Sequence, residues 1–427
     1  MKELYDPVSY LEWNARRRPH ATAVWDGREI EFEELLVHVR HFQRSLAGRG
    51  VRSGDVVGVR LPNVWQYVAL ELAIPGIGAV ILPMPMGLGE HELRWLYEKT
   101  EPVLTVTSAD LDGLAAAGSS QPPTLDPKPD RIVEIAMTSG TTGMPKLASL
   151  SARLKQVTFE GFTSRLEITE DDRVLPMTPL TQGIGGMCLY CLRAGAALVM
   201  LRDQHWTPEH CLDVAAQSGA TVLVGVPTNV IRMLNQPVHA PSSLRAVAVA
   251  GAPLPPEVAE RAEWQILDGP AADTVGRGIG EICMRGDLVQ DRYWGEDFGP
   301  YAADGWAHMG DLGFVDDAGY LHVVGRVKDI IIRGGANINP YEIESMLRTH
   351  PAVVDVCVVG RPDPDLGEVP VAFIVGDLAE EELDRFLTER GLARYKWPER
   401  IHHLDELPLS GPGKVNRKVL SEHARAL

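Results

Sequence analysis

The stretch RIVEIAMTSGTTGMPK, Arg131 to Lys146, decides how the rest of the chain is read. Its first half, rich in β-branched residues, has the look of a short buried strand. Its second half, Thr138-Ser-Gly-Thr-Thr-Gly-Met-Pro-Lys146, is a loop of hydroxyls, glycines and one lysine. Thr138, Ser139, Thr141 and Thr142 offer side-chain hydroxyls, and Gly140 and Gly143 let backbone N–H groups converge. With the charge of Lys146 added, the loop makes a concavity suited to phosphate oxygens. It is not a Walker A loop, because the G-x-x-x-x-G-K-[ST] spacing fails. Taken alone, such a cluster is more often a solvated surface loop, so its surroundings decide.

Upstream, from Tyr5 to Asp110, amphipathic helical stretches such as FEELLVHVRHFQRSL alternate with short β-branched runs such as VVGVRL, an α/β pattern. Ala115 to Pro129, rich in Ala, Gly, Ser and Pro, reads as a surface connection leading into the quoted strand. Downstream, AALVML, TVLVGVP and LRAVAVAG continue the signature of a parallel sheet. From Gly276 the texture changes to short strands and Gly/Asp turns, which predicts a small, more antiparallel, β-barrel-like part. After Lys328 the chain reads strand, helix, strand, strand, helix, strand, with Asn339 as N-cap and Pro340 in the first helical position. The expected division is a large α/β domain over 1–326 and a small α+β domain over 327–427.

Composition narrows the function classes. A formal net charge of -17 over 427 residues would repel a nucleic-acid backbone. No apolar run is long enough to span a bilayer, and Met1 to Tyr10 lacks the basic and apolar regions of a signal peptide, so a cytoplasmic location is expected. Five cysteines, an odd number, form no secreted disulfide framework. Cys188 and Cys191 make a CxxC with no second pair for zinc, and read as core residues. No metal-binding cluster is evident, and His308, His402 and His403 read as structural.

The loop in this context resembles the phosphate loop of the adenylate-forming superfamily, which includes acyl-CoA ligases. The resemblance extends over nearly the whole chain. Ala250-Gly251-Ala252-Pro253-Leu254 is similar to the adenine-side segment, and Gly305-Trp306 with Gly310-Asp311 to the DGW…TGD segment. The resemblance implies that Asp311 holds the ribose hydroxyls, with Arg326 as a second ribose contact and Lys328 as the pivot of a mobile C-terminal domain. It places Gly334 and Gly335 on the loop lining the thiol tunnel. Lys414, in Pro408-Leu-Ser-Gly-Pro-Gly-Lys414, would bridge carboxylate and α-phosphate during adenylation. Gln182 and Gly183 fall in the acyl pocket, where Gly185 and Gly186 suggest room for a bulky acid.

The pattern breaks at one place. Where the superfamily carries YG-x-T-E, with an aromatic on adenine and a glutamate on magnesium, this chain has Pro270 and Thr274. VGRG then runs straight into IGEICMRG, where two further strands are expected. Leu147, Ala152, Gln182 and Met309 also replace a glycine, two histidines and a threonine of the family pattern. Adenylation brings two anions together and leans on magnesium and Lys414. Thioester formation needs the AMP end held and a thiol delivered in line. The features for the second step persist.

The resemblance therefore implies an enzyme that takes a preformed acyl-AMP from a separate adenylating enzyme and makes acyl-CoA from coenzyme A, like the split acyl-CoA ligases of platensimycin-type antibiotic pathways. The alternatives are a complete ATP-dependent acid–CoA ligase, which Lys414 and the intact loop favour, and an inactive acyl-adenylate-binding protein, which the retained hinge disfavours. A homodimer is the commonest closed assembly for such a chain.

Overall fold

The computed structural model describes residues 6–115, 128–138, 146–202, 206–234, 240–250, 280–284, 289, 293–296, 299, 302, 306–315, 321–410 and 414–426. Two compact units divide the chain. One holds Met1–Val226, Asn235–Gly251 and Met284–Ala307, and the other holds Pro227–Leu234, Ala252–Cys283 and His308–Leu427.

The first unit carries two mixed sheets. One runs in the order β5 (Leu104–Thr107), β3 (Val56–Arg60), β4 (Val80–Pro83), β6 (Ile132–Thr138), β7 (Lys146–Ser151). It is parallel except for the β6–β7 hairpin. The other runs β11 (Ala246–Val249), β10 (Val222–Gly225), β8 (Arg173–Pro176), β9 (Ala197–Val199), β1 (Thr22–Trp25), β2 (Glu29–Glu31), with β2 alone antiparallel. Helix Phe32–Gly48 buries Leu35, Val39, Phe42 and Leu46, the one-face spacing read from the sequence. Helix Trp65–Gly76 is buried on nearly every side. Both contribute to one core that also takes Val57 and Val59 of β3, Val24 of β1 and Val174 of β8.

In the second unit β12 (Gly280–Met284), β13 (Ala307–Val315) and β14 (Leu321–Arg326) form a three-stranded sheet with β13 central. That sheet stands where a β-barrel-like part is expected. A second sheet orders β16 (Ala336–Ile338), β15 (Ile331–Arg333), β18 (Gly367–Gly376) and β17 (Val353–Asp363), with β19 (Arg400–His403) parallel to β18. Successive β17 residues enter different cores. Val356 and Val358 pack with Ile343 and Leu347 of helix Pro340–Arg348, and Cys357 and Val359 with Leu420 and Ala424 of helix Arg417–Arg425. The Asn339 side chain caps Tyr341 N–H and Pro340 opens its helix, as the sequence predicts.

Two elements differ from the expected order. The single strand expected after Lys328 is a hairpin, because Gly334 and Gly335 (φ 56° and 85°) turn β15 into β16. A small hairpin, β20 (Leu409–Ser410) with β21 (Lys414–Val415), and helix Arg417–Arg425 follow β19. The expected division at 326/327 falls inside the second unit, where Asn339 Nδ2 donates to the Val324 carbonyl at 2.8 Å.

Candidate active site

The phosphate-side hairpin is built from its flanks. Antiparallel register sets Thr138 opposite Lys146, so a seven-residue connection, 139–145, bridges two paired ends. Ser139, Gly140, Thr141, Thr142 and Gly143 lie in that connection, outside the described residues. Lys146 is exposed, with Nζ 4.7 Å from the centre of the Tyr293 ring, and Trp294 N–H donates to the Leu147 carbonyl at 2.7 Å. Leu147, in place of the family's glycine, points into a buried cluster with Leu82, Met84 and Ile135. Its side chain serves packing beneath the loop.

Under this hairpin lies a buried charge cluster that motif reading missed. Glu134 of β6 and Glu71 of helix Trp65–Gly76 both meet Lys155 of helix Ala152–Arg165. The Lys155–Glu71 separation is 3.4 Å, and Tyr67 donates its hydroxyl to Glu71. Burial, reinforced by Glu134 and opposed by Lys155, pushes the Glu71 carboxyl up to about 7. The cluster ties β6, four residues before Thr138, to two helices. A lone charge on an apolar helix was the available signal.

The residues expected to hold ribose meet in the second unit. Asp311 on β13 pairs in register with Arg326 on β14, and Arg326 Nε lies 2.8 Å from Asp311 Oδ1. Both side chains are partly solvent-exposed, so the pair is open to exchange with a ligand. Lys328 is exposed on the turn Val327–Asp329 that directly follows. Next to it, Asp329 accepts from the Tyr341 hydroxyl at 3.1 Å and lies 3.7 Å from Arg417 Nε. Arg417 Nη2 also donates to both carboxylate oxygens of buried Glu344, at 2.5 and 2.6 Å. The turn is thereby anchored on one side to the core of its own unit. Gly334 and Gly335 sit exposed at the β15–β16 turn.

Lys414 starts β21 opposite Ser410. Its side chain, Gly251, Ala252, Pro253, Gly305, the 116–127 connection and the Gly269–Arg277 break all lie outside the described residues. Gln182 precedes helix Gly183–Met187 and Gly183 has φ 42°. The reading of Gly185 as pocket room is corrected. A Cβ there would stand 2.2 Å from the Pro179 carbonyl oxygen, so backbone packing requires glycine. Cys188 and Cys191 are fully buried and burial pushes both thiols up, in keeping with core residues. His403 Nδ1 is 2.7 Å from the Gly376 carbonyl oxygen.

One side-chain grouping was not read from the sequence. Glu281 and Cys283 of β12 and His308 of β13 bring a carboxylate, a thiol and an imidazole within 4.8 Å of one another. Spacing along the chain hides it, because His308 is 25 residues from Cys283 and joins it only through strand pairing.

The hydroxyl-rich loop, the Asp311–Arg326 pair and Lys414 are the features on which the resemblance to adenylate-forming enzymes rests. The chain belongs to the AMP-binding enzyme family, whose model matches residues 11–267, and the AMP-binding enzyme C-terminal domain matches residues 342–414. It is similar to feruloyl-CoA synthase of an Amycolatopsis species, 32% identical over 471 aligned positions that cover 94% of this chain and 95% of the relative. The 2-succinylbenzoate–CoA ligase of Bacillus mycoides (strain KBAB4) is 28% identical, over 96% and 98% of the two chains. Among solved structures, o-succinylbenzoate CoA synthetase of Bacillus subtilis with its acyl-adenylate intermediate superposes with a TM-score of 0.83 at 25% identity, covering 96% and 97%. The protein is an enzyme of the acid–thiol ligase class with an α/β fold. Among the described residues, no helix is long and apolar enough to cross a membrane.

Proposed function

We propose that this chain catalyses the thioester-forming half-reaction, converting a preformed acyl-AMP and coenzyme A to acyl-CoA and AMP. The observation that carries the reading is the break at Gly269–Arg277, where Pro270 and Thr274 replace an aromatic and a carboxylate. A threonine hydroxyl is a poor substitute for a carboxylate on magnesium, a hard cation that prefers anionic oxygen. Two comparisons support a lost segment. The family match stops at residue 267, immediately before the break. The alignment with feruloyl-CoA synthase runs over 471 positions against 427 residues, so the relative carries at least 44 residues without a counterpart here.

In this reading Asp311 and Arg326 hold the ribose of the acyl-AMP, the Thr138–Lys146 loop holds its phosphate, and Gly335 lines the path of the thiol. The thiol sulfur attacks the acyl carbon, the bond from that carbon to the phosphate oxygen breaks, AMP leaves and the thiol proton passes to water. No step requires a metal. Lys328 is the pivot that brings the C-terminal residues to the tunnel, and Lys414 is dispensable for this step. A separate adenylating enzyme supplies the acyl-AMP, as in the split ligases of platensimycin-type pathways. The acyl group is a carboxylic acid of the size that the relatives' names indicate, ferulate or 2-succinylbenzoate.

A complete ATP-dependent ligase is the second reading, favoured by the paired Thr138 and Lys146 and by likeness to the Bacillus subtilis synthetase in complex with ATP and magnesium (TM-score 0.82). Pyrophosphate exchange into ATP separates the two. Losing a magnesium ligand or oxyanion-type donor costs on the order of 3 kcal/mol, or ~10²-fold in rate. Exchange with ferulate, 2-succinylbenzoate and related acids should therefore stay at background. Exchange as fast as thioester formation from acyl-AMP would favour the complete ligase.

A further inference from the structure

The β12–β13 face carries a cluster that neither half-reaction uses. Glu281 and Cys283, two apart on β12, put their side chains on one face of the strand, and His308 comes from the neighbouring strand. Cys283 Sγ lies 3.7 Å from His308 Nδ1, and Glu281 Oε2 lies 3.0 Å from the same nitrogen. Tetrahedral zinc with ordinary Zn–S and Zn–N bonds would separate its sulfur and nitrogen ligands by ~3.6 Å and its nitrogen and oxygen ligands by ~3.3 Å. The observed separations bracket those edges within a few tenths of an ångström. A surface Glu–His ion pair alone would not require a thiol at this distance.

The second carboxylate oxygen is already committed. Glu281 Oε1 accepts the Gly310 N–H at 3.2 Å, which orients the group and leaves Oε2 toward the imidazole and thiol. Such a hydrogen bond is the usual support of a metal-ligating carboxylate. His308 and Glu281 are exposed and Cys283 is partly exposed, so an ion has an entry path and a water can fill a fourth position. The donor set, one thiolate, one imidazole and one carboxylate, suits a borderline cation rather than magnesium or calcium.

We propose that Glu281, Cys283 and His308 form a three-ligand site for a divalent cation of the zinc class, with water as fourth ligand, clipping β12 to β13. Binding releases the thiol proton and, where the imidazole is protonated, one ring proton; a neutral ring with its proton on Nδ1 moves it to Nε2. The clip acts by binding the folded state alone, so it raises stability with metal concentration.

Cobalt titration of the full-length, reduced, metal-free chain tests this, without nucleotide or activity. The expected result is a thiolate-to-cobalt charge-transfer band with tetrahedral ligand-field bands, saturating at one equivalent and displaced by zinc. Cys283→Ser removes the charge-transfer band, and His308→Ala or Glu281→Gln weakens cobalt binding roughly tenfold or more. Far-UV circular dichroism of each variant shows whether it is folded. Glu281→Gln is the safeguard, since its amide oxygen keeps the Gly310 bond while the anionic ligand is lost. The other four cysteines are buried, so they offer no ready thiol. Absence of a saturable band at one equivalent, or an unchanged band in folded Cys283→Ser, would overturn the site.

Discussion

Two ion clusters of this molecule look alike as residue lists and differ in what they do. Lys155 with Glu71 and Glu134 is almost fully enclosed, whereas Asp311 with Arg326 stands partly in water. An exposed pair contributes little to stability, about 0–1 kcal/mol, because water and salt compete with it. Under the proposed function, that weakness is what would leave Asp311 able to trade Arg326 for a ribose hydroxyl. The enclosed cluster cannot trade partners, and it fixes β6, the strand that leads into the proposed phosphate loop. Under the proposed function, one cluster is scaffold and the other is site.

Breaking each cluster in turn should expose that contrast. Lys155→Met leaves Glu71 and Glu134 without their shared cation in the interior and should cost ~3–5 kcal/mol, read from urea unfolding. Asp311→Asn should change stability by less than about 1 kcal/mol. Equal losses from the two substitutions would erase the distinction. In the opposite sense, Asp311→Ala should lower kcat/KM for acyl-AMP by about 10²-fold, on the order of 2.7 kcal/mol, in single-turnover thioester assays.

The third prediction concerns pH and sharpens the scaffold half. Glu71 holds its proton in the folded chain up to about 7, against 4.5 for an ordinary glutamate. Between those values the folded state binds more protons than the unfolded state, so stability falls as pH rises and levels off above the window. The slope should not exceed about 1.4 kcal/mol per pH unit. Urea titrations across this range should show the fall in the wild type and a flatter profile in Glu71→Gln; a flat wild-type profile would contradict the assignment. The smallest effect is expected at Lys328, the proposed pivot. Lys328→Pro should slow thioester formation by roughly tenfold, about 1.4 kcal/mol, by stiffening the turn, with stability little changed. An unchanged rate would remove the pivot from the account.

How much of this was legible in the sequence follows from the range of each signal. The strand Ile132–Thr138 could be anticipated because a contiguous stretch carries it, whereas its pairing with β7 and the Asp311–Arg326 register join separate stretches and were not read from the sequence. Asn339 and Pro340 announced their helix because capping is local chemistry. The Lys155 cluster joins residues from 71, 134 and 155, and the Glu281–Cys283–His308 cluster joins two strands, so neither leaves a spacing to find. Gly185 shows the converse error. A small residue near a pocket motif suggested space, yet a carbonyl 2.2 Å from the absent Cβ explains it without a ligand.

The most direct test of the central claim is to follow acyl-CoA by mass spectrometry from two starting points in parallel. One reaction receives coenzyme A with synthetic acyl-AMP, and the other coenzyme A with the free acid, ATP and magnesium, across ferulate, 2-succinylbenzoate and bulkier acids. The account predicts product from acyl-AMP and at least ~10²-fold less from acid and ATP. Equal product from both would mean that the chain adenylates its acid despite Pro270 and Thr274, and it would then be a complete ligase.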